Sequence, residues 1–302
     1  MSKVLTALAE AVEASIQSAV GSRFHLTPSD LAAAQQAGTG TLACGPERVF
    51  CKVLDVAQSD RLDAEVDGLA AIAATGSFHT PGVLAQGQAA GSAWLVLEWL
   101  DLRPIADAAG ARRAALALAE LHAPRHQGQS FGWHRDNYIG ASPQDNASTE
   151  NWSRFFALSR LKPQFERAAD HGLDRALVRE GERIIARLPA LFLDYRPAPS
   201  LVHGDLWHGN LGMLGDGTPA TFDPACHFGD RDSDLAMAEL FGGLPEAFYA
   251  SYRSEAPPAE GFEARKLAYT LYHLLNHLNL FGGSYRSACA RVIGLLGREL
   301  SR

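Results

Sequence analysis

The spacing of apolar residues changes along the chain, and the change divides it. Leu5, Leu8, Val12 and Ile16 recur at helical spacing over 3–20, interrupted by Glu10 and Glu13, which predicts an amphipathic helix. After Pro28 an Ala/Gln/Gly/Thr stretch, 31–42, has weak periodicity and reads as a loop. Residues 48–54 alternate and are rich in β-formers, which predicts a strand. Leu62, Val66, Leu69 and Ile72 return to helical spacing, Thr80-Pro81-Gly82 punctuates, and 83–86 and 93–98 read as strands. Beyond them the pattern is mainly helical, over 108–122, 152–169, 173–188, 234–241, 263–281 and 287–300. Residues 125–150 read as a long loop and 201–203 as a short β segment. A small β-rich part followed by a larger helical part predicts an α+β fold of two lobes, 1–100 and 101–302, dividing near 98–103.

Composition narrows the classes. The chain has 302 residues, 47% of them hydrophobic, and a net charge of −7. Nothing supplies the basic face a nucleic acid needs. No apolar run approaches the roughly 20 residues of a membrane span, and the N-terminus has no signal-peptide pattern. A cytoplasmic protein with neither nucleic acid nor membrane as partner is therefore expected. Cys44, Cys51, Cys226 and Cys289 form neither a CxxC pair nor a zinc spacing and are expected as buried free thiols. His273 and His277 lie one helical turn apart, as in zinc proteases, but the accompanying glutamate is absent.

The richest stretch is Leu201-Val-His-Gly-Asp-Leu-Trp-His-Gly-Asn210, followed by Gly215-Asp-Gly217 and Phe222-Asp223. A turn at Gly215–Gly217 between short apolar segments predicts a hairpin that sets Leu211 opposite Phe222 and Asn210 beside Asp223. An amide oxygen and a carboxylate so placed are hard ligands suited to Mg²⁺. Asp205 precedes Asn210 at the spacing found in kinase catalytic loops, where the aspartate accepts the proton of the attacking hydroxyl. His203-Gly204-Asp205 stands where protein kinases carry His-Arg-Asp. Lys52 on a predicted strand and Glu65 on the next helix match the pair that holds ATP phosphates in that fold. Residues 95–100, with Glu98, resemble the hinge that meets adenine. Asp230, Asp232 and Asp234 open a predicted helix, where acidic residues favour the dipole. Asp234, with His203, is expected to support the catalytic loop.

The strings LVHGDLWHGN, FDPACHFGDRDSDLAM and LYHLLNHLNLFGGSY, together with LALAELH and NWSRFFALSRL, resemble the fructosamine kinase (ketosamine-3-kinase) family over roughly 45–290. The resemblance implies a protein-kinase-like fold, ATP and Mg²⁺, and phosphorylation of the sugar 3-hydroxyl of ketoamines, free or protein-bound. The phosphorylated adduct is unstable, so the modification is reversed. It further implies Asp205 as base, Asn210 and Asp223 as metal ligands, Lys52 as phosphate contact and Glu65 as its partner. Trp207 would shape the substrate pocket or pack as a core tryptophan on the catalytic loop, and His277, with Asn276 and Asn279, would face the substrate groove or close a polar network with the catalytic loop. Two departures stand out. The family's Gly-Gly pair would fall near Ala33-Ala34, whereas the glycines here are Gly38 and Gly40, to which the phosphate-covering loop would be re-registered. His208 stands where a small residue is usual and either contacts substrate or is simply exposed. Two alternatives remain: a kinase of another small hydroxyl compound, such as an aminoglycoside or choline, and a nucleotide-binding pseudoenzyme.

Overall fold

The structure, a computed structural model, describes residues 3–20, 24–124 and 129–301. Helix α1 (Lys3–Val20) buries Leu8, Val12 and Ile16 along one stripe, as its spacing requires. Helix α2 (Pro28–Ala37) replaces the loop expected from the weak periodicity. Its signal is local chemistry at its ends. The Thr27 side chain accepts the Asp30 amide, the Asp30 carboxylate accepts the Thr27 amide, Pro28 opens the helix, and Gly38 closes it at φ 80°. Only Leu31 and Ala34 are buried on it, too few to set a period.

Strand β1 (Thr39–Cys44), also unread in the sequence, precedes β2 (Glu47–Asp55), α3 (Ser59–Thr75), β3 (Val83–Ala89) and β4 (Ser92–Glu98). The four strands form one antiparallel sheet in the order β1-β2-β4-β3. One face packs Val49, Cys51, Val53, Trp94 and Val96 against α1 and α2. The other packs Leu95 and Leu97 against Leu62 and Leu69 of α3. Because β4 is covered on both faces, it reads as an unbroken apolar run from Ala93 to Leu97. Alternation along β2 sends Phe50, Lys52 and Leu54 to the α3 face.

The remainder is helical around two cores. After α4 (Ala108–Leu121), the stretch expected as a loop holds a hairpin of β5 (Asn137–Ile139) and β6 (Ser142–Gln144); residues 125–128 of it lie outside the described residues. The single helix expected over 152–169 is α5 (Trp152–Phe155), a π-helical stretch (Phe156–Leu161) and α6 (Lys162–Asp170). Then come α7 (Arg175–Arg187), β7 (Ser200–Val202), the hairpin β8 (Leu211–Met213) and β9 (Pro219–Thr221), and β10 (His227–Gly229), which pairs with β7. Helices α8 (Asp232–Leu240), α9 (Glu246–Glu255), α10 (Phe262–Phe281) and α11 (Arg286–Glu299) complete the chain, α9 being unpredicted. Among the described residues no disulfide joins the cysteines, and Cys44, expected to be buried, is only partly so. Among the described residues no helix is long and apolar enough to cross a membrane.

Several contacts join the lobes besides those at the cavity. His79 exchanges backbone hydrogen bonds with the β8–β9 hairpin, donating to Pro219 O and accepting from Thr221 N (3.0 and 2.9 Å). Helix α3 is gripped by the segment before β6. Trp133 Nε1 donates to Asp67 (2.6 Å), His134 lies 3.2 Å from Asp67, Arg135 pairs with Asp60, and the Tyr138 hydroxyl donates to Asp60 (3.2 Å).

Removing the cap of α2 tests its origin. Thr27→Ala is expected to lower stability by ~1 kcal/mol, the usual worth of an N-cap side chain, read as a shift of the urea midpoint at unchanged slope. An unshifted midpoint would assign α2 to packing alone.

Candidate functional site

Lys52, on the central part of β2, meets two carboxylates. Its Nζ lies 2.6 Å from Glu65 Oε2 on α3 and 2.6 Å from Asp223 Oδ1 after β9. Burial pulls the Lys52 ammonium down, but the two carboxylates outweigh it and its pKa is raised. Burial pushes the Glu65 carboxyl up, and Lys52 draws it back.

The β8–β9 hairpin brings the remaining oxygen groups together. Leu211 pairs with Thr221, one residue from the register expected, and Phe222 N donates to Asn210 O (3.3 Å), so that Asn210 and Asp223 lie side by side as the turn implied. Asn210 Nδ2 donates to Asp205 O (2.9 Å) and to Asp205 Oδ2 (3.3 Å). With its amide nitrogen turned onto Asp205, Asn210 has its amide oxygen to offer a cation. That oxygen and the Asp223 carboxylate are the hard donors that fit Mg²⁺. Asp223 is a non-glycine residue at φ 55°, in the left-handed region, and is followed by Pro224 packed on Gly68 of α3. A Cβ on Gly68 would come 2.9 Å from Pro224 Cγ, so the missing side chain lets α3 reach this segment.

The loop carrying Asp205 is held from beneath. Asp234, buried at the start of α8, accepts the amides of His203 (2.7 Å) and Gly204 (2.9 Å) and lies 3.0 Å from His122 Nε2, whose Nδ1 meets the Tyr252 hydroxyl at 2.7 Å. Burial raises the Asp234 carboxyl, but these donors outweigh it and hold it below its ordinary value. Burial lowers the pKa of His203. Its Nε2–H donates to Phe222 O (3.1 Å) and its Nδ1 accepts the Asp205 amide (3.3 Å), tying the loop to the segment before Asp223. Gly204 sits at φ 82° with Ala225 O only 2.2 Å from where a Cβ would be, so no other residue fits between His203 and Asp205.

A cavity of about 520 Å³ opens over these groups, walled by Lys52, Glu65, Asp205, Asn210 and Asp223 and also by Trp207, His277 and Phe281. A second, apolar slot of about 200 Å³ adjoins it through Asp223, lined by Phe50, Leu97, Trp99, Leu100, Leu102 and Phe222. Trp207 does two things at once. Its ring folds onto Gly209, where a Cβ would meet it at 2.4 Å, and the residue lines the cavity. His277 Nδ1–H donates to His273 O (2.9 Å), burial lowers its pKa, and its ring sits among Phe241, Phe281 and Tyr285.

Four sequence-derived candidates are not in the walls of either cavity; Asn279 instead donates to Gln164 O and Oε1 (3.0 and 2.7 Å). Glu98 turns its carboxylate to the Gly82 amide (3.1 Å); its neighbours Leu97 and Trp99 line the slot instead. His208 is exposed, with Nδ1 2.9 Å from Gly242 O. Gly40 lies within β1, where a Cβ would meet Ala34 of α2 at 2.9 Å, so its lack of a side chain admits α2. Gly38 does line the cavity, as the left-handed end of that helix between Ala37 and Thr39. The glycine loop expected at 38–40 is thus a helix terminus running into a strand. The structure adds Arg61, Asn137, Tyr138 and Gly140 to the cavity wall, and Asn276, expected in the groove, lines it as well.

A strand lysine paired to a helix glutamate above a loop–hairpin with Asp205, Asn210 and Asp223 is the arrangement of the protein-kinase-like fold. A profile described as fructosamine kinase matches residues 8–298. A candidate ketoamine kinase of Synechocystis sp. is 42% identical over 256 residues, covering 83% of this chain and 84% of that one. The ketosamine-3-kinase of Mus musculus is 33% identical, covering 84% and 88%. The crystal structure of a candidate fructosamine-3-kinase from Haemophilus somnus superposes with a TM-score of 0.80 at 27% identity, covering 94% and 96%. The chain belongs to the fructosamine kinase family.

The Asp205 carboxyl gives a pH test of the site in the free protein. Burial first, and then the Asp223 charge, push it from 3.8 up to about 7. Between those values the folded protein holds a proton that the unfolded chain has lost. The stability from this group is therefore complete below the unfolded value and is lost as pH rises through the folded one. The stability of wild type relative to Asp205→Asn, from urea unfolding, is expected to fall across that window. A difference flat with pH would remove Asp205 as the titrating group.

Proposed function

We propose that the chain is an ATP-dependent phosphotransferase that phosphorylates the sugar 3-hydroxyl of ketoamines, a deglycation activity. The observation that carries this reading is that Lys52, Asp205, Asn210 and Asp223 share one cavity, which continues into an apolar slot suited to a purine ring. The names borne by the relatives, ketoamine kinase and ketosamine-3-kinase, support the acceptor class. On this reading residues 1–100 form the nucleotide-binding lobe and 101–302 the lobe with the catalytic loop.

The adenine ring lies between Phe50 and Phe222 and meets the backbone near Leu100. Lys52, fixed by Glu65, holds the α- and β-phosphates. Asn210 and Asp223 would hold Mg²⁺, which supplies charge neutralisation on the phosphate oxygens when bound. Asp205 accepts the proton of the sugar hydroxyl as its oxygen bonds to the γ-phosphorus and the bond to the ADP oxygen breaks. Asn210 steadies that carboxylate, and the raised affinity of Asp205 for a proton suits a base. Positioning of both substrates supplies much of the rate. Trp207 and His277 form the face against which the sugar lies. Asp234 and His203 hold the loop that carries Asp205.

ATP consumption with ribulosyl-lysine and fructosyl-lysine tests the reading, and EDTA is expected to abolish it. Asp205→Asn is expected to lower kcat by ~10²–10⁴ with ATP binding kept, the usual cost of losing a general base. Turnover of an aminoglycoside or choline with none of either ketoamine would replace the acceptor class. Nucleotide binding with no turnover of any acceptor would leave a pseudoenzyme.

A further inference from the structure

Besides Lys52, one permanently charged cation lines the larger cavity among the described residues, and it has no part in the reading above. Arg61 lies on α3 four residues before Glu65, so both side chains rise from the same face of the helix one turn apart. Lys52 is already committed, at 2.6 Å to each of two carboxylates. The Arg61 guanidinium is not. One terminal nitrogen donates to Gln58 Oε1 (3.0 Å), the other to Gly140 O (3.3 Å), and Nε is buried without a partner. A guanidinium has five N–H donors, and two bonds leave most of them for a ligand.

Its place along the cleft indicates which ligand. Asp223 borders both the apolar slot and the larger cavity, whereas Arg61 borders the larger cavity alone, together with Tyr138 and Gly140 of the β5–β6 hairpin. Asp205, like Arg61, lines the larger cavity and does not border the slot, so the two share the cavity in which the phosphoryl would be transferred.

We propose that Arg61 binds the γ-phosphoryl group of ATP and stabilises the charge on its oxygens as it passes to the acceptor hydroxyl. This rests on the phosphotransferase reading of the same cavity. No proton or covalent bond involves Arg61. The group is a fixed cation aimed at oxygens whose charge spreads as the bond to ADP lengthens, the role arginine fills in other phosphoryl transfers. Tethering to Gln58 and Gly140 holds it in place before the reaction, so little reorganisation is needed.

The test compares wild type, Arg61→Lys and Arg61→Gln on two ketoamines, one made from a free amino acid and one from a simple alkylamine without a carboxylate. A second readout is binding of Mg-ADP with and without aluminium fluoride, a mimic of the phosphoryl in flight, followed by calorimetry. Arg61→Gln is expected to lower kcat by about 10²–10³-fold on both acceptors, the range for losing one oriented electrostatic contact. KM for ATP and Mg-ADP affinity should stay unchanged, the gain in affinity from aluminium fluoride should vanish, and Arg61→Lys should restore part of both. A rise in KM confined to the amino-acid ketoamine would overturn the proposal in favour of an acceptor carboxylate. Loss of Mg-ADP binding together with thermal stability would overturn it in favour of a structural tie to Gly140, as would an unchanged kcat. If the wild type consumed neither ketoamine, the acceptor reading would fail while the aluminium fluoride arm still decided Arg61.

Discussion

Lys52 is held between two carboxylates that come from distant parts of the chain, and the geometry of the cleft follows from that junction. One belongs to the helix packed under the sheet, the other to the segment leaving the β8–β9 hairpin, 171 residues away. An ammonium taken this far out of water needs a carboxylate partner, and losing both would strand a buried charge. The junction therefore fixes three things together: the distance of α3 from the sheet, the closure of the two lobes, and the left-handed turn at Asp223. Gly68 contributes by letting Pro224 approach α3. Asp234 does the equivalent work below, converting two backbone amides and a buried histidine into a fixed position for the loop that carries Asp205.

The site and the core were legible in the sequence to different degrees, for physical reasons. Lys52, Glu65, Asp205, Asn210 and Asp223 could be read because each sits in a segment whose local pattern is strong: an alternating strand, a periodic helix, a glycine-punctuated hairpin. Helix α2 could not be read by periodicity, since it buries only two side chains, although the Thr27–Asp30 box and Pro28 were visible in the string. The β5–β6 hairpin hides in a polar stretch because a buried polar network, not an apolar face, holds it. Arg160 donates to Asp145 O and Asn146, and Gln144 and Asn146 donate to Asn137. A polar sequence that satisfies itself internally looks like a loop until its partners are known.

Glu98, His208 and Gly40 show the opposite limit. Each was picked by its neighbourhood in sequence, and the adjoining residues do reach the cavities. Whether a given side chain faces inward depends on strand parity and on where a turn ends. At Glu98 the alternation directs Leu97 and Trp99 to the slot and hands the carboxylate to Gly82. Arg61 carried no signal of its own, because it enters the cavity only once α3 and the hairpin are docked on each other.

The grip on α3 has a bearing on control. In protein kinases the lysine–glutamate pair is a regulated contact, made and broken as that helix swings. Here Asp60 and Asp67 fasten the same face of the helix to Trp133, His134, Arg135 and Tyr138, at positions that bracket Glu65. A helix pinned on both sides of Glu65 resists the swing that breaks such a pair. A pair anchored in this way suits a maintenance enzyme whose workload is set by chemical damage.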